Sequence, residues 1–374
     1  MNILILTCNT GGGHNAVAAA LTEAFRQRGA DSRVLDGLSF VSRKASKFVS
    51  RWHTRFYRHY PQLYKAGYMS AEEEDGRPAP KHNPVETYLS RGARRLARYL
   101  QAERFDAVVC VHVIPALMMT MLRQNGGAPM PFCFVATDYT CSPTVGSCTP
   151  DICVIPHAEL AEEFIHCGIA ADTLLPAGIP TRSVFAAPTD RAAARQELSL
   201  PAEGRHILLM SGSIGCGPMS ALARQLDELL PEGDFATVLC GSNRQMLYAI
   251  QMRSLLRVQA VGFTSRVAQY MDSADLLVSK PGGISITEAA CKGVPMLLAD
   301  LVGGCETRNQ AFFSAHGWAA SCDTDAIADS ALSLLADDGR RRRMVETQRR
   351  DFDGRAHRLR AHQRIELFLH ERPP

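Results

Sequence analysis

The residues best suited to chemistry follow glycine-rich turns. The first turn, TGGGHN at 10–15, includes Gly13 and His14. Its glycines permit a tight turn and leave backbone amides at the start of a helix, where an anion can bind. It is not the G-x-G-x-x-G dinucleotide fingerprint, because His14 and Asn15 follow the third glycine. A nicotinamide cofactor is therefore disfavoured, and we expect no cofactor.

A second glycine turn occurs in the other half of the chain. Residues 211–218 read SGSIGCGP and place Ser213 and Gly215 in a loop that resembles a diphosphate cradle. Pro218 suits the first turn of the helix that follows. An ordinary strand-to-helix turn would explain this cluster equally well on its own.

A third glycine turn opens another predicted helix. Residues 280–289 read KPGGISITEA, with Gly282, Gly283 and Ser285 at the turn and Glu288 inside the first helical turns. A carboxylate in that position could hold a ribose diol. Several such turns in register favour binding over a purely structural role.

Two side chains in the first half could move a proton. His14 has an ordinary pKa near neutrality and follows the first glycines. Asp138, at the end of a predicted strand, could orient His14 or act as the base itself. A helix-capping or packing role for His14 is the structural alternative. We predict no metal site.

The elements that must position these groups alternate between strand and helix. Apolar runs in the first half predict strands at 2–7, 33–35, 107–113, 131–136, 152–156 and 173–176. Runs in the second half predict strands at 206–210, 235–240, 258–262, 275–279 and 295–299, with a helical pattern from 320 onward. Helical spacing between the strands, for example over 16–28, predicts an α/β fold with two Rossmann-like parallel sheets.

The length and composition limit the number of domains, the possibility of a membrane span and the cellular compartment. At 374 residues the chain suits two domains of roughly 150–190 residues, which we place at 1–182 and 183–350, with a helix over 351–374 that could return to the first domain. No apolar run approaches the roughly 18 residues of a membrane span, and no secretory leader is visible. Cysteines are scattered from Cys8 to Cys322 without C-x-x-C, which indicates reduced thiols and a cytoplasmic protein.

One segment has the pattern of a membrane-surface helix. Residues 39–68 contain seven Lys or Arg residues and no acidic residue. Lys47, Arg51 and Arg55 flank an apolar stripe that includes Trp52, as expected of a basic amphipathic helix on an anionic membrane. The alternative is a solvated helix packed on its own domain. Nucleic acid is disfavoured, because no reader motif accompanies the charge.

The chain resembles the monogalactosyl- and processive glucosyl-diacylglycerol synthases of glycosyltransferase family 28. The matching segments are TGGGHNAVAAAL at 10–21, ATDYTCSPTV at 136–145, PAGIPTRSVF at 176–185, LLMSGSIGCGPM at 208–219, LCGSN at 239–243 and SKPGGISITEAACKGVPMLL at 279–298. The resemblance implies a GT-B fold, in which two Rossmann-like domains face across a cleft. It also implies inverting, metal-independent transfer of glucose or galactose from a UDP-sugar substrate to diacylglycerol.

The resemblance also implies roles for individual residues. The donor-binding set it implies is Gly13, Ser213, Gly215, Phe263, Gly282, Gly283, Ser285, Glu288, Glu306 and Asn309. Within it, Glu288 would bind the ribose, Phe263 would border the uracil, and Glu306 with Asn309 would address the hexose. The sequence departs at Cys305, where the family has a glutamine. A thiol cannot reproduce the hydrogen bonds of an amide, so the identity of the hexose stays open.

Two other functions remain open at this point. One is a transferase that adds GlcNAc to the peptidoglycan lipid intermediate, and the other is a UDP-sugar sensor without turnover. For the diacylglycerol enzyme, the expected partners are a UDP-hexose, a lipid acceptor and an anionic membrane surface. The expected location is the cytoplasm, peripheral on the inner face of the cell membrane.

Overall fold

The chain forms two units, each built on a parallel six-stranded sheet. The computed structural model describes residues 1–9, 11–42, 84–127, 130–186 and 189–352. Within these residues, the boundary between the units lies between Arg182 and Ser183. The prediction of two Rossmann-like parallel sheets is confirmed.

Some predicted features lie outside the described residues. They include the membrane-facing residues Lys47, Arg51, Trp52 and Arg55, and the helix over 351–374 except for its first two positions. These features stay predictions. The family resemblance also implies that the first domain binds the acceptor and the second domain binds the UDP-sugar, and these roles stay predictions.

The first sheet has the spatial order β2-β1-β3-β4-β5-β6. Its strands are β1 Asn2–Thr7, β2 Asp31–Asp36, β3 Ala107–Cys110, β4 Phe132–Val135, β5 Ile152–Ile155 and β6 Leu174–Pro176. The accompanying helices are α1 Gly12–Gln27, α2 Leu38–Val41, α3 Pro84–Glu103, α4 Val113–Gln124 and α5 Ala161–His166.

The second sheet has the spatial order β12-β11-β10-β7-β8-β9. Its strands are β7 His206–Met210, β8 Phe235–Leu239, β9 Val258–Val261, β10 Leu276–Ser279, β11 Met296–Ala299 and β12 Ala320–Cys322. Its helices are α6 Arg191–Glu197, α7 Met219–Leu229, α8 Arg244–Gln251, α9 Val267–Ser273, α10 Gly283–Lys292, α11 Cys305–Ala315, α12 Ile327–Ala336 and α13 Asp338–Asp351.

The central strands are buried along their whole length, as β3, β7 and β10 show. Helices cover both faces of a parallel sheet, so its strands read as continuous apolar runs rather than alternating ones. Strands β7 and β10 pair in register from Ile207 with Leu276 to Met210 with Ser279. The two strands therefore end side by side, and the loops that leave them start as neighbours.

Three elements differ from the sequence prediction by more than two residues. Helix α1 begins at Gly12, so His14 lies in its first turn rather than in the preceding loop. Strand β3 ends at Cys110, because His112 caps α4 by accepting a 3.1 Å hydrogen bond from the Ile114 amide. Strand β12 was missed, since three residues are too few to show a strand period.

The part of the chain that the structure describes contains no helix long and apolar enough to cross a membrane. This matches the absence of long apolar runs in the sequence.

A closed polar network lies at the amino end of β7. His206 is fully buried, with Nδ1 3.1 Å from Ser273 Oγ and Nε2 2.8 Å from Thr237 Oγ1. Ser273 donates its hydroxyl proton to the Tyr270 carbonyl, and Thr237 accepts from Gln259. These bonds leave Ser273 to accept from Nδ1 and Thr237 to donate to Nε2. The neutral imidazole is thus fully satisfied, and a second ring proton would displace the Thr237 hydroxyl proton from its bond to Nε2.

Burial is the largest cause that lowers the pKa of His206, from 6.5 to about 3. The unfolded chain therefore binds a proton more readily than the folded chain between these values, and stability falls as the pH drops through this window. We expect the titration of His206 alone to lower the free energy of unfolding by about 2 kcal/mol between pH 7 and pH 5.

The measurement is urea denaturation followed by Trp318 fluorescence, in a background with Trp52 replaced by phenylalanine. A His206→Gln variant lacks the titrating group, so its free energy of unfolding should fall by about 2 kcal/mol less over the same pH range. Equal pH dependence of the two proteins would contradict the assignment.

Candidate active site

The glycine loops of the second unit meet at a change in strand order. The chain builds β8 and β9 on one side of β7, then crosses to build β10 and β11 on the other. In open parallel sheets, ligands bind beyond the carboxyl ends of the strands at such a switch point. Here the switch point lies between residues 211–218, which follow β7, and residues 280–282, which follow β10. The second and third predicted glycine turns therefore converge.

Glycine is required where the loop after β7 touches the loop after β8. Gly215 has φ +69° and Gly241 has φ +55°, in the left-handed region. A Cβ on Gly215 would collide with the Cys240 carbonyl, and one on Gly241 with the Ser213 carbonyl. The Ser242 amide donates to that same Ser213 carbonyl at 2.8 Å. The backbone after β7 is therefore locked against the backbone after β8.

Helix α10 starts directly at the switch point. Gly282 occupies its N-cap position without a side-chain cap, so first-turn amides remain available to a ligand. Such a helix start attracts anions through its amides and its dipole. Ser285 is half-buried in the first turn, and Glu288 is buried one turn later. A phosphate at the helix start and a hydroxyl-bearing group near Glu288 would suit this arrangement.

An ion pair that the sequence analysis missed lies beside this helix start. Lys280 Nζ donates to Glu306 Oε1, and the two side chains are 13% and 9% exposed. Lys280 lies in the third glycine turn, but the sequence does not predict its ion pair, because its partner is 26 positions away. Glu306 lies in α11, at the carboxyl end of neighbouring β11. The structure thus brings Glu306 to the glycine loops, and its contact with a hexose stays a prediction.

Asn309 and Phe263 differ sharply in exposure. Asn309 is fully buried and its amide donates to the Pro281 carbonyl at 2.9 Å, which fixes the turn between Lys280 and Gly282. This places Asn309 behind the loop, and its contact with a hexose stays a prediction. Phe263 is 75% exposed just after β9, where an aromatic face is available for stacking.

Asp323, Thr324 and Asp325 form a D-x-D triplet, whose two carboxylates are a type of group that binds divalent metal ions. Asp323 and Asp325 are exposed beyond edge strand β12, which β11 and β10 separate from β7. The triplet therefore lies away from the switch point. Metal-independent chemistry stays a prediction.

The first unit has its own switch point, between β1 and β3. His14 and Gly13 lie in the first turn of α1, just beyond β1. His14 Nδ1 is 2.8 Å from the Val111 carbonyl, which can only accept. The proton of the neutral ring is therefore on Nδ1, and Nε2 has the lone pair that a general base needs.

Two further groups surround this histidine. The ring of His112 packs edge-on against His14, with centroids 4.7 Å apart. Thr137 Oγ1 lies 3.4 Å from His14 Nδ1 and 3.4 Å from Asp138 Oδ2, which links the two predicted catalytic residues. Burial is the largest cause that lowers the pKa of His14 below 6.5, and the Asp138 carboxylate opposes the shift. The ring is thus neutral at physiological pH.

The loop that carries Asp138 is held by hydrogen bonds to a residue that the sequence pattern did not single out. Glu163 Oε1 accepts from Thr140 Oγ1 at 2.6 Å and from the Cys141 amide at 2.7 Å. Glu163 lies in α5, and nothing in the sequence pattern distinguishes it from other helix-surface carboxylates. Its role depends on a contact that only folding creates.

Comparison with known proteins covers both units. A family model described as monogalactosyldiacylglycerol (MGDG) synthase matches residues 14–181, and one described as glycosyl transferases group 1 matches residues 220–351. A processive diacylglycerol beta-glucosyltransferase of Staphylococcus saprophyticus is 25% identical over 89% of this chain and 84% of its own length. A probable chloroplastic monogalactosyldiacylglycerol synthase of Glycine max is 28% identical over 84% of this chain, which spans 61% of that relative.

Solved structures with the same fold include two that align over nearly the whole chain. MurG of Acinetobacter baumannii aligns with a TM-score of 0.57 at 16% identity over 99% of both chains. HepE of Anabaena, solved in complex with UDP-glucose, aligns with a TM-score of 0.60 at 16% identity over 100% of both chains. These likenesses establish the GT-B fold. Together with the family matches, they show that the chain is a glycosyltransferase that is similar to the monogalactosyl- and processive glucosyl-diacylglycerol synthases.

Proposed function

We propose that this protein transfers glucose or galactose from a UDP-sugar to diacylglycerol. The observation that carries the proposal is the convergence of residues 211–218 and 280–283 at the switch point of the second sheet, with Glu288 one helical turn further on. This arrangement offers amides to a diphosphate and a carboxylate to a ribose. The names of the relatives, which are diacylglycerol glucosyltransferases and monogalactosyldiacylglycerol synthases, support the acceptor.

We infer that the reaction inverts the anomeric centre. UDP-glucose is linked in the α configuration, and the Staphylococcus saprophyticus relative is named as a beta-glucosyltransferase. One direct displacement by the acceptor hydroxyl converts α to β. The acceptor oxygen attacks the anomeric carbon, the bond to the phosphate breaks, and UDP leaves with that electron pair.

His14 is the residue that we assign to deprotonate the acceptor. Its Nε2 has the lone pair, because Nδ1 donates to the Val111 carbonyl. The lowered pKa keeps this nitrogen unprotonated near neutral pH. Asp138, linked through Thr137, would stabilise the imidazolium that forms.

The departing UDP needs a positive environment. The glycine-loop amides and the start of α10 supply fixed partial positive charge without a metal ion. We therefore propose that neither a metal nor a cofactor is needed. The donor residues in this role are Ser213, Gly215, Gly282, Gly283 and Ser285.

The site of action that we propose is the inner face of the cell membrane. The support is the basic, acid-free sequence of residues 39–68, which suits an anionic lipid surface. The protein would bind there peripherally, through Lys47, Arg51, Trp52 and Arg55.

A transfer assay tests the function. The protein is incubated with radiolabelled UDP-glucose, UDP-galactose or UDP-GlcNAc over liposomes that contain diacylglycerol, and the lipids are extracted. We expect label in a glycolipid from UDP-glucose or UDP-galactose, with no loss on adding EDTA.

The alternatives give different results in the same assay. Label from UDP-GlcNAc alone, and only with the peptidoglycan lipid intermediate present, would identify the other transferase. UDP binding without transfer to any lipid would identify a sensor. Either result would refute the proposed function.

Replacing His14 tests the assigned base. His14→Ala should lower turnover by roughly two to four orders of magnitude, the usual range for general-base catalysis, with little change in UDP affinity. In the wild type, the acid limb of the kcat/KM profile should lie below pH 6.5, because burial lowers this pKa.

His166→Ala is the matched control for this variant. His166 is exposed in the last turn of α5, so the turnover of the control should stay near that of the wild type. Near-normal turnover of His14→Ala would instead show that His14 has a structural role.

A further inference from the structure

Lys280 occupies a central position in the switch point of the second sheet. It directly follows β10, the neighbour of β7, and its side chain is only 13% exposed. Residues 211–218 contain no Lys or Arg, and Lys280 is the single cationic side chain of the segment 280–283. The converging loops therefore have one positive side chain of their own.

The Lys280 side chain contacts both glycine loops. A Cβ on Gly212 would lie 2.9 Å from Lys280 Cε, and a Cβ on Gly282 would lie 3.2 Å from Lys280 Nζ. The lysine thus fills the space that these two glycines leave open. Its ammonium group ends beside the start of α10, where anion binding is already favoured.

Glu306 keeps this ammonium group in place. A buried ammonium group is costly unless it is paired, and the Glu306 carboxylate accepts from Lys280 Nζ. Asn309 fixes the backbone turn below by donating to the Pro281 carbonyl. The position of the charge is therefore set from both ends, through the turn and through the carboxylate.

We propose that Lys280 binds the diphosphate of the nucleotide and stabilises UDP as it leaves, with Glu306 as the residue that positions it. This inference rests on the proposed donor site and adds a side chain to it. As the anomeric C–O bond breaks, its electrons remain on the phosphate oxygen, and the fixed ammonium faces that growing charge. Lys280 transfers no proton, because the acceptor proton goes to His14.

The chemistry predicts a specific pattern of binding. Lys280 should matter for ligands that carry phosphate and be irrelevant to the nucleoside alone. Glu288, which we assign to the ribose, should matter for both kinds of ligand. Comparing UDP with uridine therefore separates the two residues.

The test is titration calorimetry with UDP, uridine and pyrophosphate, on wild type, Lys280→Gln and Glu288→Ala. We expect Lys280→Gln to weaken UDP binding by about 10- to 100-fold, in the range for a charged hydrogen bond, with uridine affinity unchanged. Glu288→Ala should weaken UDP and uridine by similar factors. Pyrophosphate shows whether the lysine binds any diphosphate or only one joined to the nucleoside.

Turnover gives a second readout. Lys280→Gln should lower kcat by about 100- to 1,000-fold even at saturating donor, because the charge on the leaving group is greatest in the transition state. Lys280→Arg keeps the charge and should recover part of that loss.

Some variants could fail to fold, so a second design removes both charges together. The double variant Lys280→Met with Glu306→Gln leaves no unpaired buried carboxylate, and it should show the same selective loss of UDP over uridine. An unchanged ratio of UDP to uridine affinity in either folded variant would overturn the inference while leaving the proposed function intact. A wild-type protein that binds no UDP would overturn both.

Discussion

The close packing of backbone at the carboxyl ends of β7 and β8 is the constraint on which the second unit depends. Gly215 and Gly241 have positive φ values and no room for a Cβ, so the backbones of the loops after β7 and β8 come into direct contact. This contact leaves the start of α10 open beside the loop after β7. A site for a diphosphate follows from the geometry of the backbone before any side chain is considered.

The buried polar groups near the two ends of β7 differ in charge. At the amino end, His206 is neutral and every one of its ring nitrogens has a partner, so the network is closed. At the carboxyl end, Lys280 and Glu306 are charged and lie beside glycines. Buried charge is costly, and it persists here next to the place where a ligand of opposite sign can bind. The same strands therefore serve stability at one end and binding at the other.

Much of the fold could be predicted because buried parallel strands are continuous apolar runs, and β1 and β7 matched their predicted bounds. Helix starts are harder to predict: the glycine pattern at 11–13 predicts a turn, although Gly12 and Gly13 are the first residues of α1. Lys280 and Glu163 were missed because each acts through a contact with residues more than 20 positions away. Sequence patterns show neighbours along the chain, and they do not show which side chains meet after folding.

Hydrogen–deuterium exchange with and without UDP tests the central claim, that the loops after β7 and β10 form the nucleotide site. Backbone amides that bind a phosphate, or that lie under one, exchange more slowly. We expect UDP to slow exchange most strongly at residues 212–217 and 282–286, with no comparable change in the first turn of α1. Unchanged exchange in both loops at saturating UDP, or protection confined to the first unit, would contradict the claim.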